Sequence, residues 1–143
     1  MIQEQIQLDL VMLVDDDDTT NYLNHRLLNE MQIAKEILVV KNGREAIDYL
    51  SQTCGSPAAD KKCPDLIFLD IKMPVMDGFS FLDEYQNRDL DKGDHLIILM
   101  LTSSASFYDL ERLKNYSKVK KHYSKALTKH DIREIMDEYF QKK

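Results

Sequence analysis

Pro64-Asp65-Leu66-Ile67-Phe68-Leu69-Asp70-Ile71-Lys72-Met73-Pro74-Val75-Met76-Asp77-Gly78 decides how this chain is read. Four consecutive apolar residues, Leu66 to Leu69, read as a short buried strand. The run ends in one carboxylate, Asp70, and a tight loop marked by Pro74 and Gly78 follows. The first residue past a buried strand sits at the carboxyl edge of a sheet, where open α/β folds build their sites. Taken alone, the pattern is also ordinary turn chemistry, because Asp, Pro and Gly all favour turns. It becomes specific when other strand ends supply matching groups.

Three do. Leu10 to Val14 is apolar and ends in Asp15-Asp16-Asp17-Asp18. Leu96 to Leu101 ends in Thr102-Ser103, and the weaker run Val119 to Tyr123 ends in Ser124-Lys125. An acidic cluster, a central aspartate, a hydroxyl and a lysine thus follow successive strands. The order resembles the receiver domain of two-component response regulators, over nearly the whole chain. The segment Asp70-Ile71-Lys72-Met73-Pro74-Val75-Met76-Asp77-Gly78 is its most specific part.

Composition narrows the alternatives. The chain has 143 residues, enough for one domain with a full core. A net charge of -6, with no stripe of Lys and Arg, argues against nucleic-acid binding. No apolar run approaches the ~20 residues of a membrane span. Met1 to Asp9 lacks the basic start and apolar stretch of a signal peptide, so a cytoplasmic protein is expected. Cys54 and Cys63, nine positions apart in sequence and without a nearby His, do not form a zinc pattern. Free thiols in a reducing compartment are the expectation.

Along the chain, strand and helix patterns alternate five times. Leu23, Leu27, Leu28 and Met31 share one helical face, with Asp18 or Thr19 as the expected cap. Ile37 to Val40 is a second strand, and Asn42-Gly43 turns into a helix bearing Ala46, Ile47 and Leu50. Phe79, Leu82 and Tyr85 mark a helix after Gly78, and Ser106 is the expected cap of the next. Thr128 and Asp131 form a capping box before a last helix with Ile132, Ile135, Met136, Tyr139 and Phe140. The expected fold is α/β, a doubly wound parallel sheet with helices on both faces. The flavodoxin-like strand order 2-1-3-4-5 is implied by the receiver resemblance. The expected organisation is one domain over 1–143, with 1–8 a short extension and 51–63 a long surface loop. With no second domain after Lys143, neither DNA-binding nor enzymatic output is expected.

The chemistry follows from charge. A carboxylate is a poor nucleophile toward an anionic phosphoryl group unless cations crowd the site. Asp16 and Asp70 would give hard oxygen ligands to Mg²⁺ or Mn²⁺. The resemblance adds the Lys72 backbone carbonyl as a ligand and has Asp15 hydrogen-bond the metal's waters. It makes Asp70 the phosphoacceptor and has Thr102 and Lys125 hold phosphoryl oxygens. The donor would be a sensor histidine kinase or a histidine phosphotransfer protein. The chain would assist its own phosphorylation and dephosphorylation without being an enzyme. It would pass the signal to a downstream protein as a monomer or weak dimer. Lys72 and Ser104 occupy the positions that tune phosphate lifetime in this family.

Two positions depart from the family pattern. His122 stands where a Tyr or Phe usually acts as a rotamer switch, and is the switch candidate here. Ala126 replaces the proline that normally follows the lysine in a cis bond. A cis bond before a non-proline residue costs ~2.5–4 kcal/mol, so a trans Lys125–Ala126 bond is expected. Two other classes fit parts of the chain. Asp15-Asp16-Asp17-Asp18-Thr19 matches the D-x-D-x-T motif of haloacid dehalogenase-type phosphatases, with Asp15 as nucleophile and Asp17 as general acid. That reading gives the Met73 to Gly78 segment no role and finds no late acidic motif at a strand end. A receiver-like module that binds partners without phosphorylation is the third reading.

Overall fold

The computed structural model describes residues 6–54, 62–90, 96–103 and 107–140. In chain order the elements are β1 (Leu8–Val14), α1 (Asp18–Glu30), β2 (Ala34–Val40), α2 (Gly43–Thr53), β3 (Leu66–Leu69), α3 (Gly78–Asn87), β4 (Ile97–Thr102), α4 (Phe107–Leu113), β5 (Val119–Ser124) and α5 (Lys129–Tyr139). The strands form one sheet in the order β2-β1-β3-β4-β5, with every pairing parallel. This is the expected doubly wound, flavodoxin-like architecture.

Side chains alternate across the sheet with the strand period of two. Met12, Val14, Ile67, Leu69, Ile98 and Met100 face α2 and α3, where Ala46, Ile47, Leu50, Phe79, Leu82 and Tyr85 complete one core. Val11, Leu13, Leu66, Phe68, Leu99 and Leu101 face the other way, onto Leu28, Ile132 and Ile135. All four residues of β3 are buried, as a central strand covered on both faces requires. Each fully buried Leu or Ile contributes about 1.5–3 kcal/mol over exposure. Lys120, Lys121 and His122 are exposed, as suits β5 at the sheet edge.

Element bounds differ from the sequence pattern at several ends. β1 begins at Leu8, whose N–H donates to Ile33 O at 2.8 Å, so pairing reaches into the expected extension. β2 begins at Ala34, ahead of the expected Ile37, with Lys35 and Glu36 exposed at the sheet edge where they break the apolar pattern. α2 continues through Thr53, so Ser51 to Thr53 belong to the helix rather than to a surface loop. Residues 55–61 of that loop and the Ser106 cap lie outside the described residues.

α1 is capped by Asp17, not by Asp18 or Thr19: its carboxylate accepts from Thr19 N–H at 3.3 Å and the Thr20 hydroxyl at 2.5 Å. The inward face of α1 also differs. Thr20, Asn21, Asn24 and Leu28 are buried, whereas Leu23 is 44% exposed and Leu27 and Met31 are half-buried. The apolar residues chosen from sequence lie to one side of a partly polar buried stripe.

Cys54 and Cys63 are joined in a disulfide, against the expectation of free thiols. α2 ends beside the segment leading into β3, which brings the two Cα atoms to 4.8 Å. Neither compartment nor zinc spacing bears on that proximity, which only the fold creates. Among the described residues, no helix is long and apolar enough to cross a membrane.

Candidate functional site

Strand pairing itself carries Asp15 and Asp70 to one edge. Asp15 N–H donates to Val40 O at 3.0 Å and Asp70 N–H donates to Val14 O at 2.9 Å. Both backbones are therefore continuations of the sheet, and both side chains are buried. Asp16 follows Asp15 and is exposed. One carboxylate oxygen from each of Asp15, Asp16 and Asp70 falls within 4.8 Å of the others.

Lys125 enters from the end of β5. Its Nζ lies 2.9 Å from Asp15 Oδ2 and 3.2 Å from Asp70 Oδ2. Its N–H donates to Thr102 O at 3.2 Å, which ties the lysine to the end of β4. Thr102 is buried at that strand end. The sequence-derived set Asp15, Asp16, Asp70, Thr102 and Lys125 therefore meets along one edge.

Burial and the negative charge of Asp15 raise the Asp70 carboxyl from its usual range to about 6, although Lys125 and the Ile71 N–H pull it down. Ile71 N–H donates to Asp70 Oδ1 at 2.9 Å. For Lys125 the largest influence is burial, which lowers it. The hydrogen bond to Asp15 and the charges of both aspartates outweigh that and hold its ammonium above the usual lysine value. Two buried carboxylates around one ammonium leave an excess of negative charge. The site is thus suited to a second cation.

The donor chemistry specifies that cation. Three carboxylates offer only hard oxygen atoms, which suits Mg²⁺ or Mn²⁺ over softer metals. The Asp cluster is an acidic pocket that fits such an ion.

The loop after Asp70 is closely constrained. Gly78 N–H donates to Ile71 O at 2.8 Å, and a Cβ on Gly78 would lie 2.4 Å from Asp70 O, so only glycine fits. Gly43 N–H donates to Met76 O at 2.8 Å, clamping the loop from the start of α2. Asp77 caps α3, accepting from Ser80 N–H at 2.8 Å. Lys72 lies exposed within this loop. Val75 has φ 69 and is 83% exposed, a backbone region that β-branched residues rarely adopt.

His122 lies exposed on β5, opposite Met100 in the register of β4. Ser104 lies outside the described residues. The Lys125–Ala126 peptide is cis, contrary to the expected trans bond. Contacts on both sides hold this segment: Lys125 is fixed to Thr102 O, Asp15 and Asp70, and the Leu127 N–H donates to Asn24 Oδ1. Those partners lie far away in sequence, outside the local cost on which the expected trans bond rested.

Asn21 and Asn24 were missed altogether. Asn21 Nδ2 donates to Asp15 O at 2.8 Å, and Asn24 Oδ1 accepts from Leu127 N–H at 3.1 Å. Their signal was present: two asparagines three residues apart on a helix, next to the buried Leu28. A search for apolar periodicity passes over such a pair.

A parallel doubly wound sheet with an acidic pocket and a lysine at its carboxyl edge defines a class of α/β modules. The chain belongs to the response regulator receiver domain family, whose model matches residues 11–137. It is a receiver domain of two-component phosphorelay signalling. It is 34% identical over 89 residues to the chemotaxis protein CheY of Halobacterium salinarum, spanning 62% of each chain. It is similar to the solved structure of a two-component response regulator from Cytophaga hutchinsonii. That match has 26% identity and a TM-score of 0.83, covering 96% of this chain and 100% of that one. The bacteriophytochrome response regulator AtBRR matches at 28% identity and a TM-score of 0.75, covering 94% of each chain. The family match does not favour the phosphatase reading with Asp15 as nucleophile.

Proposed function

We propose that Asp70 accepts a phosphoryl group from a phosphohistidine on a sensor histidine kinase or histidine phosphotransfer protein. The observation that carries this is the placement of Asp70: buried at a central strand end, beside Asp15 and within 3.2 Å of Lys125 Nζ. One Asp70 carboxylate oxygen attacks phosphorus, the phosphorus–nitrogen bond of the donor breaks, and the leaving imidazole takes up a proton. Lys125 pairs with a phosphoryl oxygen, and the Thr102 hydroxyl donates to another. Asp16, Asp70 and the Lys72 carbonyl would hold Mg²⁺, with Asp15 bonding its waters; the ion supplies charge neutralisation for two anions brought together.

The chain is a phosphoacceptor that assists its own phosphorylation and dephosphorylation. Lys72 and Ser104 set how long the phosphate lasts. His122 is the switch: it turns inward toward Thr102 when Asp70 is modified, and the face of α4, β5 and α5 changes for a downstream protein.

The test incubates the protein with Mg²⁺ and a small phosphodonor, then looks for an acid-stable, hydroxylamine-labile phosphate. Asp70→Asn abolishes labelling on this reading. Undiminished labelling of that variant, or label mapped to Asp15, overturns it. Asp16→Ala weakens Mg²⁺ binding strongly and Asp17→Ala little, because Asp17 caps α1 instead of facing the ion.

A further inference from the structure

Lys125 stands after an edge strand, on a segment that holds its ammonium 2.9 Å from Asp15 and 3.2 Å from Asp70. Side-chain packing from β5 alone is a weak support, since Ser124 and Ala126 on either side are exposed. The backbone just beyond is anchored from elsewhere. Leu127 N–H donates to Asn24 Oδ1 at 3.1 Å, across 103 positions of sequence. Asn24 is 1% exposed, and Leu127 is buried. One turn earlier on α1, Asn21 Nδ2 donates to Asp15 O at 2.8 Å, and Asn21 is also buried.

The same face of one helix thus grips both ends of the site, the acidic turn after β1 and the lysine segment after β5. Leu13, Val14, Phe68 and Leu101 enclose the small space between these asparagines and the two aspartates. In that dry setting an amide hydrogen bond is directional and costly to leave unmade. A core packed only for stability would favour a leucine at position 24, next to Leu28 on the same stripe.

We propose that Asn24 is a positioning residue for phosphoryl transfer. Its amide oxygen fixes the backbone of Leu127 and so aims Lys125 at Asp15 and Asp70, while Asn21 holds the Asp15 backbone from the same helix. The inference rests on Asp70 being the acceptor only for its kinetic consequence; the aim of Lys125 stands or falls on the unmodified protein.

The experiment compares wild type, Asn24→Leu and Asn24→Asp in the full chain. Leucine keeps the volume and removes the acceptor; aspartate keeps an acceptor oxygen. Two readouts are taken: NMR of the Lys125 side chain with hydrogen exchange of the Leu127 amide, and the rate of Asp70 labelling by a small phosphodonor at saturating Mg²⁺. Expected for Asn24→Leu are loss of Leu127 amide protection, a Lys125 side-chain shift moved toward that of a free lysine, and at least tenfold slower labelling per folded molecule. Asn24→Asp recovers the Leu127 protection and most of the Lys125 shift. The proposal is overturned if Asn24→Leu folds with an unchanged Lys125 signal, whatever its melting temperature. It is equally overturned if Asn24→Leu does not fold and Asn24→Asp, though folded, leaves the Lys125 side chain free. A wild type that takes no label overturns the acceptor reading instead, and the NMR comparison still decides the role of Asn24.

Discussion

α1 and α2 are neighbours in sequence with the same job of covering the sheet, yet they spend their buried faces differently. α2 buries Ala46, Ile47 and Leu50 at zero exposure, an apolar face at helical spacing. α1 buries Thr20, Asn21 and Asn24 ahead of Leu28 and leaves Tyr22 and Leu23 exposed. The difference lies in what each meets. α2 packs on the apolar residues of the sheet and of α3. The first turns of α1 pack behind the acidic turn and the Lys125 segment, where backbone groups need partners. A helix beside a site gives up apolar area for fixed hydrogen bonds.

The largest effect is expected in the apolar helix. Leu50→Ala removes a fully buried side chain from a core shared with α3, and is expected to cost about 2–5 kcal/mol. Denaturant unfolding measures it. A loss under about 1 kcal/mol would mean that this core can collapse around the gap, and the contrast with α1 would weaken.

The site edge is expected to respond with the opposite sign. Asp70 is raised from 3.8 to about 6 by burial and by Asp15, so its ionised form is disfavoured by folding. Between about pH 4 and pH 6 the folded state binds the extra proton, and stability falls as pH rises through that window. Above it the penalty is fully present, of the order of 2–3 kcal/mol at 1.36 kcal/mol per unit. Asp70→Asn is therefore expected to stabilise the metal-free protein at pH 7.5 by an amount of that order, and not below about pH 4. Mg²⁺ should narrow the difference by stabilising the wild type. Thermal melts at both pH values, with and without Mg²⁺, check all three parts. A destabilised Asp70→Asn at pH 7.5 would show that its contact with Lys125 outweighs the buried charge.

Much of this was legible in the chain. Runs such as Leu66 to Leu69 are buried because a strand covered on both faces has no polar side, and that is visible without coordinates. The residues at strand ends were legible for the same reason: once the strands are placed, Asp15, Asp70, Thr102 and Lys125 fall on one edge. What escaped depended on proximity between distant segments. The disulfide needed α2 to end beside the approach to β3. Asn24 needed Leu127, far along the chain, to lie over α1. The cap fell on Asp17 because the acidic turn places that carboxylate over Thr19 and Thr20, a choice among four adjacent aspartates that spacing does not make.

A smaller effect is expected at the start of α2. Asn42 Oδ1 accepts from Glu45 N–H at 2.9 Å, satisfying one of the free donors of the first turn. Asn42→Ala is expected to cost about 1 kcal/mol, read by denaturant unfolding, and to leave Asp70 labelling nearly unchanged. A marked slowing of labelling would show that the cap reaches the site through Gly43, whose N–H holds Met76 O.

The smallest effect is expected at Leu23, and it tests the comparison most directly. By apolar spacing Leu23 belongs to the buried face of α1; in the structure it is 44% exposed while Asn24 beside it is 1% exposed. The two readings differ by a rotation of about 100° around the helix axis, one residue at 3.6 per turn. If Leu23 faced the core, Leu23→Ala would cost about 2–5 kcal/mol, as at Leu50. Where it stands, the change removes a half-exposed side chain and substitutes the best helix former. The expected result is a shift within about 0.5 kcal/mol of zero, measured by denaturant unfolding against Leu50→Ala. A loss near that of Leu50→Ala would place Leu23 inside, turn Asn21 and Asn24 away from Asp15 and Leu127, and remove the polar grip that sets α1 apart from α2.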